Sequence, residues 1–127
     1  ADKLVAAARA ARDHAVATFS GFKVGAALET ADGTIVTGCN VENATYGLTV
    51  CAERVAVLKA VSEGVRSFRR IVVAADTDPL TPPCGACRQI LWEFCGDIPV
   101  TLVNLHGASE TLQLKALFPR AFDATFL

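Results

Sequence analysis

The sequence has no long apolar run, no excess of charge of one sign, and no repeat or Gly/Ser-rich linker. No segment approaches the ~20 consecutive apolar residues of a membrane-spanning helix, so no membrane partner is expected. Twelve Lys and Arg against thirteen Asp and Glu leave a formal net charge of −1, without the basic excess that nucleic-acid binding requires. With 127 residues, 52% hydrophobic and 20% charged, the chain is predicted to form one globular domain over residues 1–127.

No export segment is expected either, because the N-terminal stretch is interrupted by Lys3, Arg9, Arg12 and Asp13. The five cysteines are an odd number. Outside a secretory context, reduced thiols or metal ligands are expected rather than a disulfide framework. The sequence therefore favours a cytoplasmic protein.

The first half of the chain alternates helical and extended patterns. Apolar residues at three- and four-residue steps over residues 4–19 predict an amphipathic helix that ends near Gly21. Alternating residues at 24–28 and 35–39 flank a turn and predict a β-hairpin. Residues 40–50 are predicted to form a loop.

Apolar residues cover almost the whole circumference of a second helix, predicted over residues 51–63 with Gly64 as its stop. A domain of this size has difficulty burying such a helix on every side. We therefore expect part of its surface to contact another subunit.

The second half predicts a βαβ unit, with strands at 71–75 and 100–105 and a helix at 84–94. Only residues 106–109 separate the second of these strands from the strand-like residues 110–114, whereas a parallel return needs roughly a dozen residues. The fifth strand is therefore predicted to be antiparallel, in a layered α/β architecture.

Three cysteines occupy positions that favour thiolates. Cys51 opens the buried helix, and Cys84 and Cys87 lie in the first turn of the next one, directly after Pro83. Helix N-termini lower the pKa of a thiol, and residues at i and i+3 share one helix face. Soft, deprotonated sulfur ligands select zinc, which would keep a fourth position open for water.

Glu53 lies two residues after Cys51, in a first turn whose side chains tilt back towards the helix N-terminus. A carboxylate on an otherwise apolar helix is costly to bury, so its presence requires a chemical or structural reason. A role as proton carrier beside the metal satisfies that requirement.

Two other interpretations remain open at this point. Cys84 and Cys87 form a Cys-x-x-Cys pair at a helix start, which is also typical of thioredoxin-like redox motifs. A closed structural zinc site would need a fourth ligand, for which Cys39 and Cys95 are available.

The segments Cys51-Ala52-Glu53 and Pro83-Cys84-Gly85-Ala86-Cys87-Arg88-Gln89 resemble the zinc-dependent cytidine deaminases, in their homotetrameric three-cysteine form. The resemblance extends to residues 22–28 and 38–44, and loosely to 117–119. It implies a three-layer α/β/α fold with a mixed five-stranded sheet whose last strand is antiparallel. It also implies one zinc per subunit, held by Cys51, Cys84 and Cys87.

The same resemblance assigns substrate-binding positions. It implies that Asn40 and Glu42 hold the ribose hydroxyls and that Phe22 packs against the pyrimidine. We also expect Ala52, between Cys51 and Glu53, to be a substrate-binding residue. Further contacts in a pocket shared within a homotetramer are implied for Ala44 and Tyr46 of a neighbouring subunit and for a C-terminal aromatic residue, namely Phe122, with Phe118 and Phe126 as alternatives.

The implied reaction is the hydrolytic deamination of cytidine and 2′-deoxycytidine to uridine and 2′-deoxyuridine, in pyrimidine salvage. A zinc-bound hydroxide attacks C4, and Glu53 shuttles the protons. Since three thiolates leave a divalent metal with a net charge of −1, we expect Arg54 to withdraw charge by donating hydrogen bonds to the sulfurs. A deaminase of another aminated heterocycle, such as a nucleoside antibiotic, is the alternative.

Overall fold

The computed structural model describes residues 2–127. Four helices and five strands alternate along the chain: α1 (Asp2–Arg12), β1 (Val24–Thr30), β2 (Ile35–Cys39), α2 (Ala52–Ser62), β3 (Phe68–Ala75), α3 (Gly85–Cys95), β4 (Pro99–Val103), β5 (Ser109–Gln113) and the short α4 (Leu114–Leu117). Within the described residues, no helix combines the length and the apolar character needed to cross a bilayer.

The strands form one mixed sheet in the order β2-β1-β3-β4-β5. Strands β3 and β4 are parallel, with Ile71 opposite Val100, and α3 forms the crossover between them. All other neighbours are antiparallel, including β4 and β5, where Val100 lies opposite Leu112. The predicted α/β fold with an antiparallel last strand is confirmed.

Helices cover both faces of the sheet. On one face, Leu4 and Ala8 of α1 pack with Ala27, Val72 and Ala74. On the other face, α2 and α3 bury a larger cluster against β1, β3 and β4. Its fully buried large side chains include Leu28, Val57, Ile71, Val73, Leu91 and Val100. This arrangement anchors α2 and α3 in the main core.

Gly38 of β2 allows α2 to lie unusually close to the sheet. A Cβ atom at Gly38 would lie 2.4 Å from the carbonyl oxygen of Ala52 and 2.6 Å from the amide nitrogen of Ala56. Both contacts are with backbone atoms, which cannot rotate away. The absent side chain therefore sets the position of the N-terminal end of α2.

The first helix is shorter than predicted, since it ends at Arg12 rather than near Gly21. The segment after it pairs with the loop that follows β2: the Val16 amide donates to the Asn40 carbonyl at 2.9 Å, and the Glu42 amide donates to the Val16 carbonyl at 2.9 Å. These tertiary hydrogen bonds override the helical periodicity of residues 13–19. The ends of the last two strands also differ from the prediction. The strand predicted to end at Leu105 ends at Val103, and Leu114, predicted to end the fifth strand, begins α4 instead.

Candidate metal centre and substrate cavity

The three predicted sulfur ligands converge where α2 and α3 begin. Cys51 and Cys84 are the N-cap residues of these helices, and Cys87 lies in the first turn of α3. The Sγ atoms of Cys51 and Cys84 are 3.8 Å apart, those of Cys84 and Cys87 are 3.4 Å apart, and all three lie within 4.8 Å of one another. A tetrahedral zinc with Zn–S distances of about 2.3 Å separates its sulfurs by about 3.8 Å, so this donor set fits zinc.

Neither Cys39 nor Cys95 belongs to this group of sulfurs, which is the one cluster of three or more metal-ligating side chains found among the side chains that the structure describes. Cys95 packs instead against the hydrophobic core, and burial raises the pKa of its thiol to about 12. A closed site with four cysteines is therefore not formed by the described residues. The three-sulfur cluster is a metal site.

The surroundings of the sulfurs favour negative charge on Cys51. A hydrogen bond from the Cys87 thiol and a second from the Arg54 guanidinium, whose Nη2 atom lies 3.3 Å from the Cys51 sulfur, lower the pKa of Cys51 to about 5. The same pairing with Cys51, together with burial, raises the pKa of Cys87. One thiolate therefore forms readily in the cluster, as metal binding requires.

Glu53 is buried beside the sulfurs, with only 4% of its surface exposed. Burial raises the pKa of its carboxyl group to about 7, from an ordinary value of 4.5. A group with this pKa exchanges protons readily near neutral pH. Glu53 lies in the first turn of α2, and the close approach of that turn to Gly38 places its side chain beside the sheet.

Glu53 lines a cavity of about 180 Å³, which we call the deep cavity. Five other predicted site residues share its wall: Phe22, Asn40, Cys51, Ala52 and Cys84. Six wall residues were missed: Val24, Thr49, Val50, Val73, Thr81 and Pro82. Thr81 and Pro82 directly precede the Pro83-Cys84 motif, so their place in the sequence could have identified them as wall residues. Val73 could not be identified in this way, because only the pairing of β3 in the sheet brings it to the cavity.

The Asn40 amide connects the end of β2 to the segment that carries Phe22. Its Oδ1 atom accepts a hydrogen bond from the Val24 amide at 2.8 Å, and its Nδ2 atom donates to the Phe22 carbonyl at 2.8 Å. An amide oxygen can accept a second hydrogen bond and an amide nitrogen can donate one more. Asn40 therefore fixes the backbone around Phe22 and keeps one donor and one acceptor free for a ligand.

A wider depression of about 410 Å³, here called the open groove, adjoins the deep cavity through the shared residue Thr49. Phe19, Ser20, Glu42 and Tyr46 form the rest of its wall. The Glu42 carboxylate accepts hydrogen bonds from the backbone amides of Phe19 and Ser20 and from the Ser20 hydroxyl, and these bonds lower its pKa. The role of Ser20 was missed because residues 13–19 were assigned to the first helix.

The residues predicted to act across subunits are on the surface of the chain. Tyr46 is 76% exposed and contacts Phe19 edge to face, at a centroid distance of 6.1 Å. Ala44 is exposed and lines neither the deep cavity nor the open groove. Phe122 is exposed and stacks on Phe126, with ring centroids 5.8 Å apart.

Comparison with known proteins agrees with this geometry. Residues 1–102 match the family described as the cytidine and deoxycytidylate deaminase zinc-binding region. A cytidine deaminase of Sporosarcina psychrophila is 52% identical over 123 residues, which cover 96% of this chain and 90% of that protein. A more distant relative, a blasticidin-S deaminase of Bacillus cereus, is 32% identical over 104 residues, covering 76% of this chain and 74% of that protein.

A solved structure extends the agreement to the fold. The crystal structure of cytidine deaminase from Burkholderia pseudomallei is similar to this chain with a TM-score of 0.91 and 46% identity, covering 95% of this chain and 98% of that one. Three converging sulfurs, a buried glutamate and this match in sequence and fold lead to one conclusion. The chain belongs to the zinc-dependent cytidine deaminases of the three-cysteine type and is a hydrolytic deaminase.

Proposed function

We propose that this enzyme hydrolyses cytidine and 2′-deoxycytidine to uridine and 2′-deoxyuridine with release of ammonia, as a step of pyrimidine salvage in the cytoplasm. The observation that carries this proposal is the buried Glu53 beside three converging sulfurs, at the wall of a cavity of about 180 Å³. Two relatives that each match at least 95% of the chain are named cytidine deaminases.

Cys51, Cys84 and Cys87 would hold one zinc ion per subunit. When bound, zinc supplies Lewis acidity that brings the pKa of a coordinated water down to about 7 and so provides a nucleophile at neutral pH. Cys84 is exposed and lines the deep cavity together with Cys51. This placement supports a metal position that a ligand in the cavity can reach.

Glu53 acts twice as a proton carrier. Its carboxylate takes a proton from the attacking water and delivers it to ring nitrogen N3, which makes C4 more electrophilic as the new C–O bond forms. It then takes the proton of the new C4 hydroxyl group and passes it to the amino group, so that the C4 carbonyl forms, the C–N bond breaks and ammonia leaves. Burial of Glu53 supports this role, since it keeps bulk water away from the transferred protons.

The remaining wall residues hold the nucleoside. Phe22 covers one face of the pyrimidine, an interaction suited to an aromatic ring. Asn40 donates to and accepts from a ribose hydroxyl with the hydrogen-bonding capacity it retains, and Ala52 leaves room for the base. The Glu42 carboxylate accepts from a second ribose hydroxyl, in competition with the hydroxyl of Ser20.

Arg54 reduces the negative charge on the sulfurs. Its contact of 3.3 Å with Cys51 supports this role, since a hydrogen bond to a coordinating thiolate draws electron density from it. Replacement of Arg54 by Gln is expected to lower the turnover rate and shift its acid limb. Unchanged values of both would contradict this role.

A homotetramer would complete the substrate pocket. Tyr46 and Leu48 are 76% and 64% exposed, and Phe19, Phe122 and Phe126 are also more than half exposed. Exposed large apolar side chains in this number are typical of a chain that forms interfaces with other subunits. In the assembly, Ala44 and Tyr46 of one subunit and Phe122 of another would contact the neighbouring nucleoside.

The experiment that tests the function incubates the zinc-loaded protein with cytidine, 2′-deoxycytidine, cytosine and cytidine monophosphate and follows ammonia release, with and without a chelator. Turnover of the two nucleosides, lost on chelation, is expected. Turnover of cytosine alone, or of none of the four, would refute the substrate assignment. Blasticidin S is included as a fifth compound, because a blasticidin-S deaminase is among the relatives.

A further inference from the structure

The three sulfur ligands differ in what holds them in place. Cys87 is buried within α3, and Cys51 accepts a hydrogen bond from Arg54. Cys84 is exposed, and the two residues after it, Gly85 and Ala86, are exposed as well. Packing therefore contributes little to the orientation of Cys84, and its backbone must fix the direction of its Cα–Cβ bond.

Arg88 holds the backbone on both sides of Cys84. Its Nε atom donates to the Pro83 carbonyl at 2.8 Å, and its main-chain amide donates to the Cys84 carbonyl at 3.0 Å. Because peptide groups are planar, fixing two successive carbonyl oxygens fixes both peptide planes that flank the Cys84 Cα atom. The direction of the Cys84 side chain is thereby set.

The guanidinium of Arg88 is itself held from its other side. Its Nη1 atom donates to the carbonyl of Leu117 at 2.6 Å. Leu117 ends α4, and its carbonyl has no partner within that helix, so it is available as an acceptor. The first residue of α4, Leu114, is fully buried and donates its amide to the Ile98 carbonyl at 3.0 Å, which anchors the helix in the core.

We propose that Arg88 is a positioning residue for the metal centre, bracing the exposed ligand Cys84 against the C-terminal helix α4. This inference rests on the proposed binding of zinc and extends it to a residue that touches neither the metal ligands' sulfurs nor the deep cavity. The guanidinium group is required for the bridge between the Pro83 and Leu117 carbonyls. A lysine ammonium is a single point charge on a flexible stem and does not reproduce that geometry.

The test compares Arg88→Lys, which keeps the charge, with Gln89→Ala as the matched control. Gln89 is the next residue of α3 and also binds the C-terminal segment, through the Phe122 carbonyl at 2.9 Å, but it makes no hydrogen bond to Pro83. The dissociation constant for zinc is measured by competition with a chromophoric chelator. Thermal unfolding of the zinc-free proteins is measured alongside, so that lost affinity can be separated from lost stability.

Arg88→Lys is expected to weaken zinc binding about ten- to hundredfold, the range found when a residue supporting a metal ligand is removed, and to change the absorption spectrum of the cobalt(II)-substituted protein. Gln89→Ala is expected to leave both within about twofold of the wild type. Wild-type zinc affinity in Arg88→Lys, or an equal loss in Gln89→Ala, would overturn the proposal.

If zinc-free Arg88→Lys does not fold, the zinc affinity of Arg88→Gln is measured instead. Weaker zinc binding is again expected, and wild-type affinity would again overturn the proposal. The outcome is independent of the substrate assignment. A wild-type protein that binds zinc but does not deaminate cytidine refutes the proposed reaction and leaves this test in force, whereas a wild-type protein that binds neither zinc nor cobalt refutes both.

Discussion

The deep cavity and the open groove adjoin each other, yet they are built from different kinds of structure. The cavity includes residues of β1, β3 and α2 that belong to the main core, namely Val24, Val73 and Ala52, together with residues of the adjoining loops. The groove is lined by irregular segments, which contribute Phe19, Ser20, Glu42, Tyr46 and Thr49. The reacting end of a substrate is thus expected to meet a rigid wall, and its sugar end a surface that another subunit can complete.

The two carboxyl groups of these regions show the same contrast in their protonation. Burial raises the pKa of Glu53 to about 7, whereas hydrogen bonds from Ser20 lower the pKa of the partly exposed Glu42 below its ordinary value of 4.5. One environment suits a group that exchanges protons near neutral pH, and the other suits a carboxylate that stays ionised at that pH. Two glutamates in adjoining pockets are therefore suited to different tasks.

The largest expected effect is that of Glu53→Gln. The amide has nearly the same shape but cannot carry a proton, so the turnover number should fall by about 10² to 10⁴ while zinc binding is retained. Steady-state kinetics with cytidine and a zinc determination test this prediction. Glu42→Gln is the comparison variant and should raise KM with a much smaller change in turnover. Equal losses of turnover in the two variants would remove the distinction between the pockets.

The rigidity of the deep cavity is tested by Gly38→Ala. The new methyl group would meet backbone atoms of α2 at 2.4 and 2.6 Å, so the helix start carrying Cys51 and Glu53 must move. We expect a loss of about 1–3 kcal/mol in the free energy of unfolding, measured with urea, and weaker zinc binding.

Gly47→Ala is the control for this substitution. Gly47 lies between Tyr46 and Leu48, and a Cβ atom there would have no heavy atom of another segment within 4 Å. Its free energy of unfolding should stay within about 0.5 kcal/mol of the wild type. A similar loss of unfolding free energy in both glycine variants would show that the close approach of α2 to β2 does not contribute specifically to stability.

The same contrast explains which parts of the structure could be predicted from the sequence. The sulfur cluster was predictable because Cys51, Cys84 and Cys87 lie at helix starts, and helix starts are marked locally by composition and by Pro83. The antiparallel fifth strand was predictable because a short connection permits no other return.

Residues 13–19 were not predictable in this way. Their apolar spacing favours a helix, but hydrogen bonds with Asn40 and Glu42, which lie in a loop distant in sequence, determine their course. Ser20 and Phe19 reach the groove only through those contacts. Periodicity reports a local preference, and it fails where a partner remote in sequence supplies stronger hydrogen bonds.

Tyr46→Ala tests whether the groove depends on a second subunit. Tyr46 is 76% exposed in the single chain, so the thermal stability of an isolated subunit should hardly change. If the proposed tetramer covers this side chain, its loss should weaken assembly at least about tenfold and raise KM. Sedimentation velocity over a dilution series measures the assembly. An unchanged assembly and KM would mean that the groove is complete within one chain.

The smallest expected effect is that of Ser20→Ala on the pH dependence of KM. The Ser20 hydroxyl is the largest cause of the lowered pKa of Glu42, so its removal should move that pKa back towards 4.5. Protonation of the carboxylate turns one of its oxygens into a donor and weakens the group as an acceptor. The variant should therefore lose nucleoside binding at a higher pH than the wild type as the solution is acidified. The ratio of the variant's KM to that of the wild type should rise towards about twofold between about pH 6 and 4.5. Taking the ratio at each pH cancels any loss of zinc that both proteins share, so a ratio that stays constant over this range would show that the ionised form of Glu42 does not contribute to binding.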